Sequence, residues 1–189
     1  MRIVGGKFRG HRLAAPKSDK IRPTTDRSRE SLFNILSHRD EVEFEGARVI
    51  DLFAGTGALG LEALSRGAGF ALFLDESAEA RGLVRTNMES CKQNGNAKIF
   101  RRDATKLGAR GTMNPFNLAF LDPPYDKGLG ERALQSLHEG EWLTPEAFVV
   151  WEESTKAEVI IPAYFSLIDD RTYGTVSYTH LTLPTTPYV

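Results

Sequence analysis

The segment from Asp122 to Tyr125 has the residue types needed to activate a weakly nucleophilic amine. An exocyclic amine of a nucleic-acid base reacts poorly because its lone pair is delocalised into the ring. A carboxylate from Asp122 and a carbonyl from Pro123 or Pro124 could each accept one N–H and hold the nitrogen closer to tetrahedral geometry. The two prolines fix that backbone in advance, and Tyr125 can stack on the base. These four residues therefore predict catalysis of methyl transfer to a planar amine.

A glycine-rich segment about 70 residues earlier indicates the methyl donor. The sequence GTGALG at 55–60 has the G-x-G-x-x-G pattern, which in dinucleotide enzymes places a pyrophosphate at a helix N-terminus. Here Asp51 precedes the loop, where a carboxylate would repel pyrophosphate, and the loop has no lysine or arginine to hold a phosphate. S-adenosyl-L-methionine (SAM) carries an ammonium group and no phosphate. We therefore expect a SAM site, with cofactor contacts from Asp51, Phe53, Ala54, Gly55, Thr56 and Gly57.

These residues must be positioned by alternating strands and helices. Continuous apolar runs predict strands at 49–53, 70–75, 97–100, 117–122 and 147–151. Helices are predicted through 61–64 and over 77–92 and 129–139. This alternation is typical of an α/β fold with a parallel sheet covered by helices on both faces, in which ligands bind beyond the carboxyl ends of the strands.

Four aspartates lie at or just after the predicted strand ends, namely Asp51, Asp75, Asp103 and Asp122. A single acidic residue in such a place is usually only solvated, but four at one edge of a sheet indicate a site. Asp75 could accept both ribose hydroxyls of SAM. Asp103 could accept from the adenine amine, and Ala104 beside it is a further candidate cofactor contact.

The first 29 residues are strongly basic, with nine Lys/Arg and two acidic residues, although the whole chain has a net charge of −1. A basic end on an acidic body predicts contact with phosphate, and the alternative is an ordinary solvated terminal segment. Residues 2–14 predict a β-hairpin around a glycine-rich turn. Thr24 or Thr25 is the expected N-cap of a helix that has Asp26 in its first turn.

Composition excludes several classes of protein. Hydrophobic residues make up 41% of 189 residues, which suits one globular domain, and no apolar run is long enough to span a membrane. Cys91 is the single cysteine and the four histidines share no ligand spacing, so neither a disulfide framework nor a metal site is expected. We expect a soluble, cytoplasmic protein of a reducing compartment.

Longer motifs resemble known methyltransferases. The segments DLFAGTG at 51–57 and DPPY at 122–125 resemble class I amino-methyltransferases in general. RIVGGKFRG at 2–10, RPTTDR at 22–27 and RESLFNIL at 29–36 resemble the bacterial RsmD family, whose members methylate guanine N2 in 16S ribosomal RNA. The resemblance implies a Rossmann-like class I methyltransferase fold, with a mostly parallel seven-stranded sheet that ends in an antiparallel hairpin.

The same resemblance implies partners and further site residues. The substrate would be 16S ribosomal RNA in a preassembled small-subunit intermediate, and the enzyme would act as a monomer. Thr25 would lie near the cofactor. Contact with the RNA would come from four basic residues, Arg9, Arg12, Arg22 and Arg27.

Three regions are predicted along the chain. Residues 1–40 form a basic N-terminal extension and residues 41–175 the methyltransferase domain. The resemblance stops at Thr175, and residues 176–189 look like a translated sequencing adapter, a non-native tail. We therefore expect residues 180–189 to pack poorly, with His180 and Pro184 burying no apolar stripe.

Other functions remain open on the sequence. DNA adenine-N6 and cytosine-N4 methyltransferases share the Asp-Pro-Pro-Tyr chemistry, but 189 residues leave little room for a separate target-recognition region. A SAM-binding or RNA-binding module without catalysis would not need the intact segment at 122–125. A dinucleotide oxidoreductase is disfavoured by Asp51.

Overall fold

The computed structural model describes residues 1–16 and 25–184, which form a seven-stranded sheet and four α-helices. The strands are β1 (Arg48–Leu52), β2 (Phe70–Leu74), β3 (Ala97–Phe100), β4 (Phe116–Leu121), β5 (Leu143–Ser154), β6 (Ser166–Tyr173) and β7 (Val176–Thr182). The helices are α1 (Asp26–Leu36), α2 (Ala58–Ser65), α3 (Ala78–Ser90) and α4 (Leu129–Glu139), with short 3-10 helices at Gly6–Phe8 and Ala104–Lys106.

The strand order β3-β2-β1-β4-β5-β7-β6 confirms the predicted fold class. Strands β1 to β5 are parallel to one another, whereas β7 runs antiparallel to both β5 and β6. The chain order reverses between β1 and β4, and the loops that follow these two strands leave the sheet in opposite directions. In doubly wound sheets this switch point opens the ligand crevice at the carboxyl ends of the strands.

Alternate side chains of each strand enter two cores, one on either face of the sheet. Phe120 of β4 packs with α1, α2, α3 and the N-terminal segment, while its neighbour Leu121 packs with α4 and the 3-10 helix Ala104–Lys106. Because both faces are covered, the strands are apolar throughout, which explains why continuous runs predicted them. Of the strands, β5 is the one that extends well beyond its prediction, from Leu143 to Ser154.

Side-chain caps fix the starts of two helices, and the sequence predicted the first of these caps. The Thr25 hydroxyl accepts the Ser28 N–H at the start of α1, and Asp26 lies in the first turn. The Ser77 hydroxyl accepts the Ala80 N–H at the start of α3. Such caps satisfy donors that the first helical turn leaves unpaired. Thr24, the other candidate cap, lies outside the described residues.

The N-terminal segment turns back on itself as predicted, although Arg2 and Arg12 form an isolated antiparallel bridge rather than two strands. It is held against the methyltransferase core by polar contacts. The Val4 N–H donates to Glu62, and the Asn87 side chain joins Ala14 to the carbonyl of Thr56 in the glycine-rich loop. The extension is therefore packed onto the same core as the sheet.

The prediction of a poorly packed tail is wrong for the described residues up to 184. β7 lies between β5 and β6, and His180 and Leu181 are fully buried. The His180 ring packs against Phe148 with centroids 5.6 Å apart, and Pro184 is partly buried. The segment VSYTHLT is rich in β-branched and aromatic residues, so it can pair with the open antiparallel edge of β5 whatever its origin. Residues 185–189 lie outside the described chain.

Replacing His180 by leucine should stabilise the protein. The imidazole is fully buried, and neither ring nitrogen has a hydrogen-bond partner among the described residues. Burial lowers the pKa of His180 to about 4, so the ring is neutral at pH 7 but still pays the cost of desolvation. An unsatisfied buried polar group costs about 1–3 kcal/mol. Urea unfolding should show a gain of that order for His180→Leu, whereas exposed His38→Leu should change stability by less than about 0.5 kcal/mol. A destabilised His180→Leu would mean that this ring is satisfied.

Two features are absent from residues 1–16 and 25–184. No helix in these ranges is both long and apolar enough to cross a membrane. No group of three or more His, Cys, Asp or Glu side chains there is arranged to hold a metal ion.

Candidate active site

A cavity of about 620 Å³ opens at the carboxyl ends of β1, β2, β4 and β5. This volume suits a ligand of nucleoside size. The sequence-predicted residues that line it are Thr25, Asp51, Phe53, Ala54, Gly55, Thr56, Asp75, Ala104, Asp122, Pro123, Pro124 and Tyr125. The structure thus brings together three of the four predicted aspartates, the glycine-rich loop and the Asp-Pro-Pro-Tyr segment.

The glycine-rich loop has a backbone that side chains would disturb. Gly55 and Gly57 have positive φ values of 56° and 77°, which L-residues rarely adopt. A Cβ on Gly60 would lie 2.4 Å from the ring of Phe73, so this glycine lets α2 pack closely on β2. Gly57 caps α2, and a Cβ there would meet Phe73 and Val84. Gly57 is not among the residues that line the cavity, and its contact with a cofactor stays a prediction.

The carboxylate of Asp75 joins the loop after β1 to the loop after β2. Its Oδ2 accepts the Gly55 N–H at 3.0 Å and its Oδ1 accepts the Ser77 N–H at 2.8 Å. Each carboxylate oxygen has a further lone pair, so the side chain can still accept from a ligand. Asp75 lines the cavity and is well placed for a pair of vicinal hydroxyls such as those of a ribose.

Asp51 lies at the floor of the cavity and is 1% exposed. Its Oδ2 accepts the Gly60 N–H at 3.0 Å in the first turn of α2. Burial raises the pKa of Asp51 to about 8; the Gly60 hydrogen bond opposes this rise, and the nearby Asp75 adds to it. A buried carboxyl that is this reluctant to ionise would gain most from a cationic ligand such as the ammonium of SAM.

The raised pKa of Asp51 should make the SAM-free protein less stable as the pH rises. Its folded pKa of about 8 exceeds the ordinary value of 3.8, so the folded state keeps a proton that the unfolded state releases between these values. The stability that the folded state gains from keeping Asp51 neutral is fully present below about pH 4 and is lost as the pH rises through about 8. Asp51→Asn should therefore lose less unfolding free energy than the wild type between about pH 5 and pH 8, by on the order of a few kcal/mol in urea unfolding.

The wild type and Asp51→Asn contain the same titrating groups apart from Asp51. The difference between their curves of unfolding free energy against pH therefore isolates the effect of Asp51. Parallel curves would show that Asp51 is ionised in the folded protein. Saturating SAM should flatten the wild-type curve, because an ammonium near Asp51 favours the ionised carboxylate.

Asp103 is the predicted aspartate that the structure does not place in the cavity. Its carboxylate accepts the Thr105 N–H and hydroxyl, and so caps the 3-10 helix that follows β3. The Thr105 hydroxyl hydrogen bond lowers the pKa of Asp103. Its neighbours Arg102 and Ala104 line the cavity instead, so the side chain of Asp103 shapes the loop after β3 and does not line the cavity.

The Asp-Pro-Pro-Tyr segment leaves β4 directly opposite the glycine-rich loop. Asp122 is partly exposed to the cavity, Pro123 is buried and Pro124 is exposed. The Tyr125 hydroxyl donates to the carboxylate of Glu152 at the end of β5. The tyrosine ring is thereby held at the cavity wall, where it can stack on a base.

Several lining residues were not predicted from the sequence, namely Ser28, Glu76, Arg102, Leu129, Glu152, Val176 and Tyr178. Glu152 could have been found, because it lies at the carboxyl end of a parallel strand like the four aspartates. Tyr178 lies on β7, opposite Glu152 in the strand register, and its hydroxyl hydrogen bonds to that carboxylate.

Three of the four predicted RNA-contacting residues lie on the surface outside the cavity. Arg9, Arg12 and Arg27 are exposed, and none forms a salt bridge with another described residue. Thr25 and Ser28 at the start of α1 line the cavity, so Arg27 lies beside its opening. Arg22 lies outside the described residues.

Comparisons with known proteins agree with this geometry. The profile of the family described as Conserved hypothetical protein 95 matches residues 1–182. Ribosomal RNA small subunit methyltransferase D of Escherichia coli K12 is 40% identical over 181 residues, covering 94% of this chain and 87% of that protein. The protein of the same name from Haemophilus influenzae is 34% identical over 183 residues, covering 94% and 91%.

Solved structures show the same fold. Escherichia coli yhhF superposes with a TM-score of 0.83 at 34% identity, covering 98% of this chain and 99% of that one. An RNA methyltransferase from Salinibacter ruber in complex with S-adenosyl-L-homocysteine has a TM-score of 0.64 at 13% identity, covering 88% and 97%. At that identity the second likeness extends to the fold alone.

Proposed function

Because this chain belongs to the Conserved hypothetical protein 95 family, the RsmD family of SAM-dependent methyltransferases, we propose that it methylates the N2 amine of a guanine in small-subunit ribosomal RNA. The observation that carries this proposal is the shared cavity. Asp122 and its prolines lie across from the glycine-rich loop, so a base amine and a methyl donor would meet between them.

The cavity fits SAM on three grounds. Gly55 and Gly57, with their positive φ values, shape a loop whose backbone a ligand can approach closely. Asp75 offers acceptors for ribose hydroxyls. Buried Asp51 offers a partner for an ammonium group. When bound, SAM supplies an electrophilic methyl group on a sulfonium, which is neutralised as the methyl leaves.

The protein's own residues would orient the base and take up its amine hydrogens. Asp122 accepts one N–H of the amine, and the carbonyl of Pro123 or Pro124 accepts the other. Both acceptors favour the tetrahedral geometry that the nitrogen reaches as its bond to carbon forms. The amine becomes acidic as it is alkylated, so a proton can leave through Asp122 to water without a strong base. Holding both reactants in line supplies much of the rate.

Transfer of labelled methyl from SAM tests the proposal directly. Unmethylated 16S RNA, both naked and in assembled small-subunit particles, would be incubated with the protein and digested to nucleosides. We expect labelled N2-methylguanosine, and a preference for particles would support action on an assembly intermediate in the cytoplasm. Label in adenosine or cytidine, or in duplex DNA added to a parallel reaction, would contradict the assignment. Sedimentation of the protein would test the expected monomer.

Reversing the charge at Arg9 or Arg12 should weaken RNA binding. Each exposed arginine that neutralises a phosphate releases a counterion, so the slope of log affinity against log salt should fall by about 0.7 per lost contact on single-stranded RNA. Arg9→Glu and Arg12→Glu would be compared by filter binding over a salt series. Lys98→Glu makes the same change of charge at an exposed site on edge strand β3 and serves as the control. Equal slopes for all variants would make the N-terminal segment an ordinary solvated surface.

A further inference from the structure

We propose that Glu152 selects guanine, by accepting the N1–H of the base while Asp122 accepts from the neighbouring N2 amine. This inference rests on the proposed function and assigns to the same cavity a residue that discriminates between bases. It concerns a carboxylate that the amine chemistry of Asp122 to Tyr125 does not require.

The register of the sheet places the two carboxylates side by side. Leu121 of β4 is paired with Trp151 of β5, so the next residues, Asp122 just after β4 and Glu152 within β5, lie at the same level. Neighbouring strands lie about 4.8 Å apart. Both residues line the cavity. Two carboxylates at this separation can reach two adjacent N–H groups on one edge of a base.

Two tyrosines hold the Glu152 carboxylate in place. The Tyr125 hydroxyl donates to its Oε1, and the Tyr178 hydroxyl on the facing strand β7 also hydrogen bonds to it. Burial and the charge of Glu152 raise the pKa of Tyr178, so this hydroxyl stays protonated and remains a donor. A carboxylate has about four lone-pair positions, so two tyrosine donors leave room for a third donor from the base.

The pattern of hydrogen atoms on the bases explains the selection. Guanine carries N1–H directly beside its exocyclic amine, so a second carboxylate finds a donor there. Adenine has an unprotonated N1 beside its amine and cytosine an unprotonated N3, and a buried carboxylate would face a lone pair in both. Sites built to hydrogen bond a donor reject analogues that lack it far more strongly than apolar pockets reject a missing methylene.

The test uses RNA in which the mapped target guanine is replaced by 2-aminopurine. This base keeps the 2-amino group but has an unprotonated N1. For the wild type we expect kcat/KM on guanine to exceed that on 2-aminopurine by at least about 100-fold. Glu152→Gln should lose about 10- to 100-fold on guanine, and the ratio should shrink to below about tenfold because a carboxamide can donate to N1.

Glu153→Gln is the matched control. Glu153 is the next residue of β5, equally buried, but it accepts the Asp126 and Ser154 N–H groups and does not line the cavity. For Glu153→Gln, the ratio of kcat/KM on guanine to that on 2-aminopurine should stay within about threefold of the wild-type ratio. The SAM affinities of Glu152→Gln and Glu153→Gln should also stay within about threefold of the wild-type affinity. Calorimetric titration with SAM would show that Glu152→Gln is folded.

The outcomes separate this inference from the proposed function. A wild type that labels guanine N2, with an unchanged base ratio in Glu152→Gln, would overturn the role of Glu152 and leave the function intact. An equal change in Glu153→Gln would also overturn it, because the effect would then be structural. A wild type that labels adenine or cytosine instead would overturn both.

Discussion

Replacing Asp122 by alanine should reduce methyl transfer to RNA by at least about 10²–10³-fold while changing SAM affinity by less than about threefold. The carboxylate lines the cavity just after the end of β4. It would act mainly on the amine as that nitrogen becomes tetrahedral, so its loss should lower kcat more than it raises KM. Single-turnover kinetics and calorimetric SAM titration measure the two quantities separately.

Asp126→Asn provides the control for this variant. Asp126 is an exposed carboxylate in the same loop, and it does not line the cavity. Its left-handed φ of 59° is one that asparagine also adopts, so the change removes charge without straining the backbone. Parallel losses of methyl transfer and SAM affinity in Asp122→Ala would assign Asp122 to the cofactor instead of the amine.

Replacing Asp75 by alanine should weaken SAM binding by at least about 100-fold. Two hydrogen bonds from hydroxyls to a carboxylate are worth about 1.5–3 kcal/mol each, and the loop after β1 also loses its anchor at the Gly55 N–H. Asp75→Asn keeps an oxygen for one of these donors and should fall between the wild type and alanine. Calorimetric titration with SAM and S-adenosyl-L-homocysteine would measure both affinities.

Glu79→Ala is the companion variant for Asp75. Glu79 lies in the first turn of α3, close to Asp75 in sequence, but it is exposed and outside the cavity. Its SAM affinity should match that of the wild type within about threefold. Unchanged affinity in Asp75→Ala would remove Asp75 from the ribose and leave it a purely structural anchor.

Local chemistry explains which parts of the site could be predicted from the sequence. The glycine-rich loop and the Asp-Pro-Pro-Tyr segment are continuous, so their residue types and order were enough to predict them. Asp75 followed from a rule about strand ends that needs only the apolar pattern. The sheet itself was predictable because its strands are buried on both faces and read as unbroken apolar runs.

The residues that were missed depend on where strands end and on how distant strands pair. Glu152 directly follows the predicted end of the fifth strand at Trp151, so the rule that indicated the four aspartates applies to it as well, although the observed strand continues to Ser154. Tyr178 reaches the cavity through pairing with β5, and nothing local to Tyr178 encodes that pairing. Asp103 was expected to face a ligand, but its carboxylate accepts a hydrogen bond from the hydroxyl of Thr105, two residues further along the chain.

The tail shows the opposite error, in which unfamiliar residues were expected to be unstructured. A strand that pairs antiparallel with β5 needs mainly an extended backbone and side chains that can be buried on both faces of the sheet. Tyr178 and Leu181 meet that requirement, and His180 is tolerated at a cost in stability. The family profile itself extends to residue 182, so the match includes all of β7 and the resemblance does not stop at Thr175.

The position of β7 between β5 and β6 constrains the order in which the sheet can assemble during synthesis. Both neighbours leave the ribosome before β7, yet among the described strands β6 pairs with β7 alone, and β5 keeps one edge unpaired until β7 arrives. A nascent chain stopped after β6 would therefore present an open strand edge, the surface through which sheets add foreign strands and aggregate. Completion of the fold must wait for residues 176–182, so most of the cofactor cleft would form before the last strand enters the sheet.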